Sequence, residues 1–234
     1  TRSMCSALAA DPATAHFVGK PTHFLSHAWL YKILNVVEGL AEYEASQPEG
    51  NPPMFFWFDC FAIDEHATQT MPQEWWSTTF QDAIRGIGRT LMVLSPWNDP
   101  VPLTRAWCLW ELYSTHKAGV PFSVCLGPDE RRAFEAAILE DSAAVLNAFS
   151  QISVEKAQAG DPRDEAMIKR LVAEEVGFAA LDAVAFERMR AWIFGVARGI
   201  AERAGAEGVD GLWKKAQIGQ LFHRFRRVDE AEGL

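Results

Sequence analysis

Trp107 and Glu111 carry the clearest chemical signal in this sequence. They belong to the stretch Thr104-Arg105-Ala106-Trp107-Cys108-Leu109-Trp110-Glu111-Leu112, which follows an apolar run, Thr90 to Leu94, ending in Ser95-Pro96-Trp97. Four residues apart, Trp107 and Glu111 share one face of a helix. An aromatic ring beside a carboxylate at a strand-to-helix junction can hold a flat, cationic ring next to a negative charge. Each residue also has a plainer use: Glu111 as a surface ion-pair partner, Trp107 and Trp110 as core.

Other chemistries are poorly served. Cys60 with His66, and Cys108 with His116, lack the close spacing of zinc-binding cysteines and histidines, so no metal ligands are expected. Ser26 or Ser95 with His27 and Asp59 suggests a hydrolase triad, but no G-x-S-x-G elbow accompanies them. There is no Gly-rich dinucleotide fingerprint and no Walker sequence, so a nucleotide must be held by another device.

The elements that position these residues alternate. Thr22 to His27 reads as a strand and Tyr31 to Ser46 as a helix with apolar residues at Ile33, Leu34, Val37, Leu40 and Ala41. Met54 to Asp59 reads as a strand buried on both faces. Cys60 to Trp76 is long and irregular. Ser77 to Ile87 fits a helix capped by Ser77, and Thr90 to Ser95 a strand. A helix over Trp107 to about Lys117 closes at Gly119. Val120 to Leu126 is a further strand, Asp129 to Phe149 one helix, and Gln151 to Val154 a candidate fifth strand. Crossovers of this length imply a parallel sheet wrapped by helices, an α/β fold. Beyond Gly160 only helical patterns remain: from Pro162, over Leu181 to Ile200, and over Leu212 to Phe225. Residues 1–160 are therefore expected to form the α/β domain, with 1–20 as an N-terminal extension. Residues 161–234 are expected to pack on it as a helical extension.

Ligands of an open parallel sheet bind beyond the carboxyl ends of the strands. Those ends are Ser26-His27, Asp59, Ser95 and Leu126-Gly127. A helix starting near Trp29 offers free N–H groups to a phosphate, with Lys32 adding charge in the first turn. Ser26 and Asp59 also suit loop capping, His27 a buried and satisfied histidine, and Ser95 a simple strand end.

Bulk properties narrow the partners. With 234 residues, 49% of them hydrophobic, the chain can bury one good core. A net charge of -9 argues against nucleic acid and anionic membrane surfaces, and His223-Arg224-Phe225-Arg226-Arg227 reads as a solvated helix end. No apolar stretch is long enough to span a bilayer. The four scattered cysteines read as small buried hydrophobes in a reducing compartment. The first residue is Thr rather than Met, as expected of a piece of a longer chain.

In order along the chain, Phe24-Leu25-Ser26, Phe58-Asp59, Ala83-Ile84 with Ile87 and Ser95, and Trp107 to Leu112 resemble the boxes of the TIR (Toll/interleukin-1 receptor) domain family. The likeness is to its NAD-cleaving plant and bacterial-type branch and covers about residues 22–150. It implies a flavodoxin-like sheet of four or five strands and an NAD glycohydrolase or cyclase acting in cytoplasmic signalling or defence. It makes Glu111 the catalytic glutamate, Trp107 a ring on the nucleotide, and Cys60 to Trp76 a loop that gates the site and mediates assembly. NAD or NADP is then substrate, with no resident cofactor and no metal. Trp29 and Trp97 would supply further aromatic walls. Where plant members carry an arginine, two residues after Ser26, this chain has Ala28. The alternative that the resemblance allows is a self-associating signalling module without catalysis.

Overall fold

The computed structural model describes residues 2–64, 73–204 and 209–232. Helix α1 (Met4–Ala10) is capped by the Ser3 hydroxyl, which accepts from the Ser6 N–H. The sheet is then built from β1 (His23–Ser26), β2 (Phe56–Trp57), β3 (Thr90–Val93) and β4 (Phe122–Cys125). All pairings are parallel and the strand order is β2-β1-β3-β4. Helices α2 (Ile33–Ala45), α3 (Asp59–Ala62), α4 (Gln73–Ile87) and α5 (Ala106–Ala118) interleave with the strands. Helices α6 (Pro128–Glu140), α7 (Ser142–Ser150), α8 (Pro162–Glu175), α9 (Phe178–Arg203) and α10 (Val209–Glu232) follow. This is the expected α/β, flavodoxin-like arrangement with extra C-terminal helices. Its sheet has four strands among the described residues.

Strand alternation divides the core. Leu25, Leu91, Val93 and Cys125 point to the α2 side, where they pack with Val36 and Phe58. Phe24 turns to the other side, against Phe80 and Ile84 of α4. Met92 and Val124 also face that side and join a larger core with Leu109 and Trp110 of α5, Phe134 of α6, and Leu181, Met189 and Phe225 of α9 and α10. The C-terminal helices therefore share one continuous apolar interior with the sheet.

Helix α5 is central to the fold. Nine of its thirteen residues are buried, so it is apolar nearly all round, as expected of a helix enclosed by others. Helices α4, α8 and α9 cover it. Thr115 Oγ1 lies 2.8 Å from Thr90 Oγ1 and pins the helix to β3. Gly119, with φ 65°, ends it in the left-handed region, where a side chain would be strained.

Several boundaries differ from the sequence expectation. The second strand is two residues long and half-buried, because it is an edge strand bonded only to β1, and the chain turns into α3 at Asp59. Ser77 is not a cap: it is buried within α4, which starts at Gln73. The expected helix Asp129 to Phe149 is two helices, because the Asp141 carboxylate accepts from the Ala144 N–H and starts α7. Gln151 to Val154 forms no strand. The nearest feature is an isolated bridge in which Gln158 exchanges backbone bonds with Thr104 and Ala106. Residues 65–72, including His66 and the middle of the expected Cys60 to Trp76 loop, lie outside the described residues.

Candidate functional site

Strand order makes the site's location. From β1 the chain crosses to β2 on one side, and β3 then lies on the other, so the sheet's topological switch falls between β1 and β3. Ser26 ends β1 there and is fully buried. Helix α5 brings a second group to the same place. Cys108 Sγ donates to the His27 carbonyl at 3.3 Å, and Glu111, one turn further along, is 8% exposed and lies beside Ser26.

Glu111 Oε2 and Ser26 Oγ are both buried without a hydrogen-bond partner. Burial pushes the Glu111 carboxyl up to about 8. The nearby Ser26 hydroxyl pulls the other way, close enough to favour the ionised form without closing a hydrogen bond, and the Asp59 carboxylate adds a further push upward. At neutral pH the resting side chain is therefore mostly the neutral acid. The Cys108 thiol beside it is also driven up by burial and stays protonated.

Asp59 organises the outer part of the site. Its Oδ2 accepts from the Trp29 indole N–H and its Oδ1 from the Cys60 N–H, each at 2.8 Å. The His27 Nε2 lies 3.8 Å from Asp59 Oδ1 and 3.9 Å from Cys60 Sγ. Burial lowers the His27 pKa, with Asp59 and a hydrogen bond to the Leu25 backbone opposing it, so the ring is neutral at pH 7. The Phe58 ring meets it edge-on at 4.5 Å.

Ser26, His27, Asp59 and Glu111 thus come together, with Trp29 at the solvent edge. Ser95 contributes through its backbone. The Tyr31 hydroxyl accepts from the Ser95 N–H at 2.8 Å and donates to the Ser95 carbonyl at 2.5 Å, tying the end of β3 to the β1–α2 loop. Sequence reasoning missed Tyr31, since no spacing pairs it with a residue 64 positions away. The remaining candidates have other commitments. Trp107 donates to Asp164 Oδ2 at 3.2 Å and meets the Phe80 ring edge-on at 5.2 Å. Trp97 packs on Phe134. Lys32 is the exposed residue preceding α2, whose first residue is Ile33 rather than one near Trp29.

One reading of residue type needs correction. Cys60 is exposed, so only Cys108 and Cys125 behave as fully buried apolar groups. Cys108 and His116 do not converge: the thiol turns to His27, while the His116 ring faces Arg188. A groove of about 520 Å³ lies elsewhere, along α10 beside Ala216, Gln220, His223 and Arg224. No described helix is long and apolar enough to cross a membrane. No family model, no curated protein and no solved structure matches the chain.

Proposed function

We propose that this chain is a TIR-type NAD(P) nucleosidase working in the cytoplasm, with Glu111 as its catalytic carboxylate. The observation that carries this reading is the pair of unpartnered buried groups, Glu111 Oε2 and Ser26 Oγ, at the switch point of a parallel sheet. Burying polar atoms without partners costs free energy, and a ligand's hydroxyl groups would satisfy both. A ribose suits them. When the C1′–N bond breaks, its electron pair returns to the pyridinium nitrogen, so nicotinamide leaves neutral and needs no general acid. The ribose is left with oxocarbenium character, which an ionised Glu111 stabilises. Water then adds at C1′ and gives up a proton. A carboxylate whose conjugate acid has a pKa of about 8 is a stronger base for that proton than an ordinary glutamate.

Incubating the protein with NAD and resolving the products by chromatography tests this. Nicotinamide should be released, and Glu111→Gln should slow release at least about a hundredfold while circular dichroism stays unchanged. Because the ionised form is the active one, kcat/KM should rise with pH and level off above about 8. Undiminished turnover by the glutamine variant removes Glu111 from the reaction.

A second reading, self-association in signalling, rests on a different observation. Trp29, Leu30, Ile33, Leu34 and Val37 are 46–75% exposed; the last three project from the first turns of α2, and Trp29 and Leu30 stand in the turn just before it. A solvent-facing apolar stripe of this kind marks an interaction surface. Light scattering of concentrated protein should detect an oligomer that Leu34→Glu dissociates. A monomer at every concentration rules this reading out.

A further inference from the structure

His27, Asp59 and Cys60 place three donor atoms of different chemistry within 4.8 Å of one another. Two of the distances share a single atom, His27 Nε2, with Asp59 Oδ1 at 3.8 Å and Cys60 Sγ at 3.9 Å. That convergence decides between two uses of a Cys, a His and an Asp. In a nucleophilic triad the carboxylate and the nucleophile sit on opposite ring nitrogens. Here both approach the same nitrogen, which is the arrangement of ligands around a common centre.

The spacing fits a tetrahedral ion. Bond lengths of about 2.0 Å to N or O and about 2.3 Å to S give ligand–ligand edges of roughly 3.3–3.6 Å. The two separations from His27 Nε2 are about half an ångström wider, and the Asp59–Cys60 pair lies within 4.8 Å, so side-chain rotations must draw the three groups in around an ion. Outer partners are also in place. The Trp29 indole holds Asp59 Oδ2 while the Cys60 N–H holds Oδ1, and the imidazole bonds the Leu25 carbonyl. Such contacts orient ligating side chains. His27 is 91% buried on a strand end, whereas Cys60 reaches solvent, so the site is anchored on one side and open on the other.

We infer that His27, Asp59 and Cys60 form a Zn²⁺ site, supplying three ligands among the described residues, with its Cys60 side reaching solvent. The mixed imidazole, carboxylate and thiolate set favours Zn²⁺ over Mg²⁺ or Ca²⁺, which prefer oxygen alone. On binding, the Cys60 S–H bond breaks, the sulfur bonds the metal and the proton passes to water. The inference does not rest on the proposed nucleosidase reaction, because metal binding is read without turnover.

The test is a titration of the untagged, chelator-treated chain with CoCl₂ followed by ZnCl₂. One Co²⁺ per chain should bind, with a thiolate-to-cobalt charge-transfer band in the near ultraviolet and the strong visible bands of four-coordination. Zn²⁺ should abolish both. Cys60→Ser, at an exposed position, should lose the charge-transfer band and weaken Zn²⁺ binding at least tenfold, and Asp59→Asn should weaken it similarly. Cys5→Ser should change nothing. Circular dichroism confirms that each variant is folded. Absence of a saturable cobalt spectrum in the parent chain, or the same spectrum and stoichiometry in Cys60→Ser, overturns the inference.

Discussion

Replacing Glu111 with glutamine should stabilise the protein progressively as pH rises. In the unfolded chain this carboxyl ionises near its ordinary value of 4.5, but in the folded protein it does so at about 8. Between those values the native state keeps a proton that the unfolded chain has released. Its contribution to stability is complete below about pH 4.5, shrinks as pH rises, and is gone above about 8. At ~1.4 kcal/mol per pKa unit, the full window is worth roughly 4–5 kcal/mol. Glutamine has nearly the same shape and cannot ionise, so it escapes the penalty. Urea unfolding at pH 4 should therefore give a small, fixed offset between parent and variant. At pH 8.5 the variant should be more stable by several kcal/mol. A difference that does not change with pH would mean that the carboxyl is better solvated, or better paired, than its surroundings indicate.

Phe134→Ala should cost about 3–5 kcal/mol. The ring is fully buried in the interior that α6 shares with the C-terminal helices. It stacks on Trp192 of α9 with centroids 4.7 Å apart and planes 5° from parallel, and it also meets Trp97 and Phe149. Truncation removes three aromatic contacts and leaves a cavity that rigid helices cannot close. In a chain of this size the thermal midpoint should fall by roughly 10 °C. Tryptophan fluorescence should report the loss, since Trp97 and Trp192 both border the gap. A drop of only a degree or two would show that the C-terminal helices are loosely attached.

Much of the sheet was legible because β1, β3 and β4 are short apolar runs and Gly119 stands where a helix must stop. The second strand was overestimated because an aromatic run looks the same at an edge as at a sheet's centre. The break at Asp141 had a visible signal, an Asp-Ser pair of cap-forming residues, overridden by apolar residues that continue in phase on both sides. Within the site, Ser26 and Glu111 could be named from their places at a strand end and on a helix. The grouping of His27 with Cys60 could not, since 33 residues separate them and metal-ligand spacing rules look for close pairs. Trp97 and Trp107 illustrate the reverse problem: both fall in the segment that follows β3, yet the ring of Trp97 packs on Phe134 of α6 and that of Trp107 on Phe80 of α4.

The position of β1 has a consequence for synthesis. It lies between β2 and β3, both of which come later in the chain. Roughly seventy residues must follow Ser26 before β3 is complete, which at ~5–20 residues per second takes on the order of several seconds. One edge of a strand containing Phe24 and Leu25 waits until β2 is made, and the edge that receives β3 waits throughout the interval. A ribosome-bound fragment halted before residue 90 should consequently recruit chaperones strongly, and that affinity should fall once β3 has emerged.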